Sequence, residues 1–171
     1  MINTKKFGFA AAVFLSAAFF GTSTSLAKVY SIPGTDAIAT VNVPSEWEPS
    51  EIDNGIEMNS PDGEVYVSIE AVKADKISSA IADSVKVLGD QGLVLDQASQ
   101  KTHDVEANGM KIHVFEYDGK DDDGPTEFAI SLIETRVPEQ YVMFTARASK
   151  EAQKTNDAAM GTIMQSIQLT K

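Results

Sequence analysis

The chain has 171 residues, with 14 basic side chains, 25 acidic side chains, two histidines and no cysteine. The absence of cysteine excludes a disulfide framework, a thiolate zinc site, a cysteine nucleophile and a lipid-modified cysteine. The net charge of −11 argues against non-specific nucleic-acid binding, which needs lysine and arginine to neutralise phosphates, and against docking on anionic lipid. These exclusions leave a small, acidic globular protein.

A cleaved secretory signal peptide is predicted at the start of the chain. Two lysines precede a 14-residue apolar run over residues 7–20, and Ser25 and Ala27 occupy the −3 and −1 positions of a cleavage site. The run is shorter than the roughly 20 apolar residues that a membrane-spanning helix needs. We therefore predict a signal peptide over residues 1–27, one mature domain over 28–171 without a membrane span, and a periplasmic or secreted location.

The first part of this domain predicts three strands. Apolar and polar residues alternate over 39–43, which is typical of a half-buried strand, and this strand ends at Pro44. A second strand over 55–59 runs into the turn residues 60–63 and then into a third alternating segment over 65–70. We expect the second and third strands to form a hairpin.

A helix is predicted next, from about residue 78 to residue 90. Its apolar residues recur at helical spacing: Ile77, Ile81, Val85 and Leu88. Gly89 and Gly92 supply the stop signal at its end. The spacing therefore predicts an amphipathic helix that covers one face of a sheet.

Four more strands are predicted after this helix. Asn108-Gly109 is a strong hairpin signal, because both residues of a type I′ turn must accept positive φ. This turn joins the polar segment 96–106 to a strand over 110–117. Alternating apolar residues predict two further strands around 128–132 and 142–146.

The chain is predicted to close with a second helix, which Ser149 can cap. Its inner face would carry Ala152, Ala159, Ile163 and Ile167. The predicted order is therefore β-β-β-α-β-β-β-β-α. Because short loops make sequential strands antiparallel neighbours, and because helices must cover apolar sheet faces, we predict an α+β fold. Its centre would be an antiparallel β-sheet with both helices packed on it.

Several short motifs resemble the PsbP-like family. Residues 41–47 look like its strand–Pro–loop–Trp opening, and residues 58–63 resemble the Ser-Pro-Asp-Gly hairpin that follows. Residues 107–109 resemble its central hairpin, and residues 163–167 resemble the end of its closing helix. The resemblance spans nearly the whole of 28–171 and implies an α/β/α sandwich around an antiparallel sheet.

The family includes extrinsic subunits of the photosynthetic oxygen-evolving complex, a Ran-binding import factor and many small exported bacterial proteins. Because its known members are mainly accessory or binding proteins, the resemblance implies a non-enzymatic protein without a cofactor. It supplies no catalytic motif that matches numbered residues here. We expect an envelope or exported protein as the partner. We also expect a monomer, since the high negative charge opposes self-association.

A crowded acidic turn is the candidate metal site. Its carboxylates belong to Asp118, Asp121, Asp122 and Asp123. Such oxygens suit Ca²⁺ or Mn²⁺, although their spacing does not match an EF-hand loop. An alternative function is therefore a carrier of a divalent cation or a small ligand. The other interpretation is a solvated hairpin tip whose charges keep the protein soluble.

The Asn108-Gly109 turn also predicts a register. A two-residue loop places Asp104 opposite His113, and Glu106 opposite Lys111 on the same sheet face. An Asp–His pair is what a general base requires, so a hydrolase is a third hypothesis. No sequence signal places a serine beside the pair, and opposite-charge pairs of this kind also stabilise strands in ordinary sheets.

Trp47 is the only tryptophan and the candidate partner-binding residue. Tryptophan is enriched at interface hot spots, so an exposed Trp47 would be an anchor for a partner. The alternative, which we favour, places the ring in the core or at the rim of the sheet. Glu46 stands where relatives often have glycine, which changes the loop before the tryptophan.

Overall fold

The structure is a computed structural model that describes residues 27–170. The predicted signal peptide lies outside the described residues, apart from Ala27 at its end, and stays a prediction. Within the described range, none of the helices combines the length and the apolar character needed to cross a membrane.

The described residues form eleven strands and two α-helices. The strands are β1 (Ala27–Ile32), β2 (Ala39–Pro44), β3 (Ser50–Ile52), β4 (Gly55–Asn59), β5 (Val65–Lys73), β6 (Val94–Leu95), β7 (Lys101–Ala107), β8 (Met110–Asp121), β9 (Gly124–Glu134), β10 (Gln140–Ser149) and β11 (Gln168–Leu169). The helices are α1 (Ile77–Asp90) and α2 (Lys150–Gln165). Ser149 caps α2 as predicted, because its hydroxyl accepts a hydrogen bond from the Ala152 backbone N–H at 3.1 Å.

The strands form two sheets. The larger has eight strands in the order β3-β4-β5-β10-β9-β8-β6, and β7 also pairs with β8. The smaller has three strands in the order β1-β2-β11. The strand pairs of both sheets are antiparallel. The predicted α+β class with a central antiparallel sheet is therefore confirmed.

The large sheet is covered on both faces. In β5 the side chains of Val67 and Ile69 join a core that includes α2 and the small sheet. The alternate residues Tyr66 and Val72 join a second cluster that packs against α1. Because successive side chains of a strand point to opposite faces, one helix lies on each side of the sheet. This is the α/β/α sandwich that the PsbP-like resemblance implies.

The predicted order of elements broadly matches the observed order, but four observed strands were not predicted. Three of them, β3, β6 and β11, have only two or three residues, which is too short to show alternation. The fourth, β1, pairs with β2 along the edge of the small sheet and is mostly exposed, so it lacks an apolar period. The predicted polar segment 96–106 contains most of β7.

Gly55 permits the close pairing of β4 with β5. A Cβ atom at this position would lie 1.9 Å from the carbonyl oxygen of Ile69. That oxygen belongs to the backbone of the partner strand and cannot move aside without separating the two strands. By contrast, a Cβ atom at Gly89, near the end of α1, would meet nothing within 4 Å.

We expect Gly55→Ala to lower the free energy of unfolding by about 3 kcal/mol, because the added methyl group forces β4 away from β5. The matched control Gly89→Ala should raise it by about 0.5 kcal/mol, since alanine is the better helix former. Urea titration followed by the emission of Trp47 measures both. Equal midpoints for Gly55→Ala and the wild type would contradict the role given to Gly55.

Candidate functional site

The predicted Asp104–His113 pair is present. The register of β7 with β8 places Asp104 opposite His113 and Glu106 opposite Lys111, as the Asn108-Gly109 turn indicated. His113 Nδ1 lies 2.8 Å from Asp104 Oδ1. The other ring nitrogen, Nε2, lies 3.1 Å from Oε1 of a second carboxylate, Glu134 at the end of β9.

Glu134 was not predicted as a partner of His113. The signal that could have found it is the tight turn between β8 and β9. That turn sets Asp121 opposite Gly124 and consequently His113 opposite Leu132, two residues before Glu134 on the same sheet face. The diagonal neighbour across two antiparallel strands lies within reach of a long side chain.

The surroundings of His113 suit an ion-pair bridge better than a general base. A base must keep one ring nitrogen free to take a proton from substrate or nucleophile. Here each nitrogen is held by a carboxylate, an arrangement that favours the doubly protonated ring donating two N–H groups. The bond to Asp104, followed by the bond to Glu134, raises the pKa of His113 above its ordinary value of 6.5.

We expect NMR titration of the His113 ring to give a pKa above 6.5 in the folded protein. Asp104→Asn should lower this pKa more than Glu134→Gln, since the bond to Asp104 is the larger cause. A raised folded-state pKa stabilises the fold below the ordinary value, and this stability is lost as pH rises through the raised value. The stability difference between wild type and His113→Gln should therefore shrink above neutral pH. An unchanged pKa in Asp104→Asn would contradict the bridge.

The predicted acidic turn holds its aspartates in different environments. Asp121 is 11% exposed, and its Oδ2 accepts a hydrogen bond from the Thr126 hydroxyl at 2.9 Å. The same oxygen lies 3.5 Å from Nη1 of Arg147, which is 18% exposed. Asp121 Oδ1 accepts the backbone N–H of Asp123 at 3.1 Å. This carboxylate therefore stabilises the turn and neutralises an arginine that is itself largely buried.

The other members of the acidic turn are not gathered around Asp121. By strand alternation Asp118 lies on the opposite face of β8, while Asp122 and Asp123 are exposed at the turn. Between residues 27 and 170, no group of three or more histidine or acidic side chains is arranged to hold a metal ion. Binding of Ca²⁺ or Mn²⁺ by this turn stays a prediction.

We expect Asp121→Asn to lower the free energy of unfolding by about 2 kcal/mol, because it leaves Arg147 without its charge partner. The neighbouring change Asp123→Asn should alter stability by less than about 0.5 kcal/mol, since that side chain is exposed. Chemical unfolding measures both, and equal effects would contradict the assignment. Adding Ca²⁺ or Mn²⁺ during thermal unfolding tests the cation site separately, because a bound ion raises Tm.

Trp47 is buried. Its side chain is 2% exposed and belongs to the core between the large sheet and the layer of α2 and the small sheet. This position agrees with the alternative in which the ring packs in the core. The candidate role as an exposed partner anchor is corrected accordingly, because a ring without accessible surface offers a partner nothing to contact.

A cleft of about 470 Å³ lies between α1 and the neighbouring strands β4 and β5. We call it the α1 cleft and define it by Glu57, Tyr66, Glu70, Asp83 and Val87, which line it. Apolar side chains of Ile52, Val72, Ala80 and Met143 also line it, and Lys73 and Lys76 contribute to its border. Its size falls within the range of ordinary ligand sites.

Partly desolvated acidic groups dominate the electrostatics of the α1 cleft. The Tyr66 hydroxyl donates to Glu57 Oε2 at 3.1 Å, and burial together with the nearby Glu57 raises the pKa of Tyr66 to about 12. Burial raises the pKa of Glu70, and the charges of Glu57 and Asp83 raise it further. The bond from the Ser68 hydroxyl to Glu70, at 3.1 Å, acts in the opposite direction. A cation placed among these groups would relieve their mutual repulsion.

No pattern in the sequence predicts the α1 cleft. Its carboxylates come from three elements: Glu57 from β4, Glu70 from β5 and Asp83 from α1. These residues are separated by 13 positions each along the chain, and only the packing of α1 on the sheet brings them together. The periodicity that predicted these elements carries no information on how far α1 extends across the sheet.

No protein-family model matches this chain, and no curated protein sequence matches it. Among solved structures, CyanoP, the cyanobacterial PsbP of Synechocystis sp. PCC 6803, is similar with a TM-score of 0.57 and 11% identity, over 90% of this chain and 98% of CyanoP. The chain has the PsbP-like fold.

LpqN of Mycobacterium tuberculosis has a TM-score of 0.51 at 12% identity, over 85% of this chain and 92% of LpqN. The Ran-binding protein Mog1p of Saccharomyces cerevisiae has a TM-score of 0.49 at 10% identity, over 86% and 97% of the two chains. At these identities the likeness to CyanoP and LpqN establishes the fold and does not extend to activity.

Proposed function

We propose that this protein is an exported, non-enzymatic accessory protein that binds a protein partner through the α1 cleft. The observation that carries the proposal is the cleft itself: three carboxylates from three different elements surround a concave surface with apolar side chains in its lining. A site of this composition holds a ligand by apolar contact and orients it by a few charged groups.

The chemistry of the α1 cleft favours a basic side chain with an aliphatic stem as the group that enters it. A lysine or arginine side chain can lay its methylene groups on Ala80 and Val87 and place its charge near Glu70. Lys73 and Lys76 at the border would then select against a second basic residue nearby. A peptide segment with one basic residue followed by apolar or acidic ones fits this pattern.

Three observations support export and a non-enzymatic role. The first 27 residues have the layout of a signal peptide. LpqN, which shares the fold, is described as involved in cell envelope biogenesis. The Asp–His pair uses both imidazole nitrogens for carboxylates, so it lacks the free nitrogen that a hydrolase of this type needs.

Photo-crosslinking in living cells tests this proposal. A benzophenone amino acid replaces Val87, which is 47% exposed and lines the α1 cleft, or Val29, which is 60% exposed and lies on β1. We expect one reproducible protein adduct from position 87 and none of that mass from position 29. The same adduct from both positions, or no adduct from position 87, would contradict the proposal.

A second variant separates binding from folding. Glu70→Gln removes a charge that burial disfavours, so it should leave the stability of the free protein unchanged or higher. In the Glu70→Gln variant, the yield of the adduct from position 87 should fall, because the basic group of the partner loses its nearest counter-charge. An adduct of undiminished yield would show that the charge of Glu70 does not hold the partner.

A further inference from the structure

A second cleft lies at another place, where the β7–β8 hairpin, the end of β9 and the chain after α2 meet. It has a volume of about 670 Å³ and is lined by residues 108–111, 134–136 and 167–169, together with Gln165. We call it the hairpin cleft. It shares no lining residue with the α1 cleft.

Two cationic side chains that have no partner among the described residues line this cleft. Arg136 and Lys111 are both exposed, and neither forms a side-chain hydrogen bond or an ion pair within residues 27–170. Lys111 lies opposite Glu106 in the β7–β8 register without forming an ion pair with it. In a chain with 25 acidic and 14 basic side chains, the hairpin cleft thus holds two positive charges that form no ion pair within residues 27–170.

The other polar side chains considered in the hairpin cleft either can donate hydrogen bonds or already have a hydrogen-bond partner. The side-chain amides of Asn108 and Gln168 line it and each carries two donor hydrogens. The Thr135 hydroxyl is hydrogen-bonded to the Gln140 carbonyl oxygen at 2.7 Å. Glu134 is the one acidic residue in the lining, and its Oε1 is bonded to His113.

We propose that the hairpin cleft binds an organic anion, with Arg136 and Lys111 as the charged contacts to its carboxylate or phosphate group. A guanidinium fork matches the two oxygens of either group, and the ammonium adds a second charge. Leu169, which is half-buried, gives the cleft an apolar surface for the organic part of the ligand, and the buried side chains of Met110 and Ile167 also line it. This site is independent of the α1 cleft and of the partner proposed there.

The geometry also makes this binding dependent on pH. Glu134 would repel an anion, and protonated His113 balances its charge across 3.1 Å. The charged groups that face His113 are Asp104 and Glu106 on β7, Lys111 on its own strand and Glu134 on β9, while Tyr141 of β10 lies opposite Glu134. Histidine is the side chain whose charge ordinarily changes between about pH 5.5 and pH 8.5, so the protonation of His113 changes the local charge in this range.

NMR titration of the isotope-labelled protein with benzoate and with phenyl phosphate tests the site. We expect saturable shifts at residues 108–111 and 134–136. Arg136→Gln should weaken binding about tenfold, the loss typical of one hydrogen bond to a charged group. Lys101→Gln, an exposed lysine of β7 outside the cleft, is the matched control and should bind like the wild type. Binding of one probe only would identify the preferred anionic group.

Two results would overturn the proposal. The first is the absence of saturable shifts with either probe at these residues, and the second is equal binding by the wild type and Arg136→Gln. The pH dependence has its own readout: benzoate should bind several-fold more tightly at about pH 5.5 than at about pH 8.5. This difference should disappear in His113→Gln, and its persistence there would remove His113 from the site.

Discussion

Burial of the central strands on both faces is the constraint on which the rest of the structure depends. In β5, β9 and β10 consecutive residues are buried, so each face of the large sheet requires a covering layer. On one face α2 and the small sheet supply that layer together. On the other face, α1 supplies it as a single helix, together with Leu93 of the segment that follows. A helix is about 10 Å wide and strands lie about 4.8 Å apart, so one helix covers about two strands.

The polar composition of the α1 cleft follows because α1 leaves part of this sheet face uncovered. Strand positions on the part of this face that α1 leaves open disfavour apolar side chains, because those side chains would remain in water. Glu57, Tyr66 and Glu70 occupy such positions on β4 and β5. They are close enough to α1 to lose part of their hydration and far enough from it to stay accessible. Partly desolvated carboxylates of this kind are poorly stabilised in the free protein, which is what makes them suited to a positively charged ligand.

Structural features that depend on residues adjacent in the chain could be predicted from the sequence. Asn108 and Gly109 both adopt positive φ, 53° and 72°, as the predicted two-residue turn requires. That single turn fixed the register of β7 with β8, and hence the contact of Asp104 with His113. Glu134 reaches the same histidine through a second pairing, between β8 and β9, whose register depends on a less distinctive turn. The α1 cleft depends on the placement of a helix across strands, which no local pattern encodes.

The two arginines of this acidic chain have different surroundings. Arg147 is largely buried and faces Asp121, so its charge is used to fix a turn. Arg136 is exposed at the end of β9 and is not paired within the described residues. Nearby carboxylates are expected by chance in a chain with a net charge of −11, whereas Arg136 shares a cleft that has polar and apolar lining with Lys111, which is also unpaired within residues 27–170. The hairpin cleft therefore carries more information about ligand binding than the acidic turn, although the turn is the feature that stands out in the sequence.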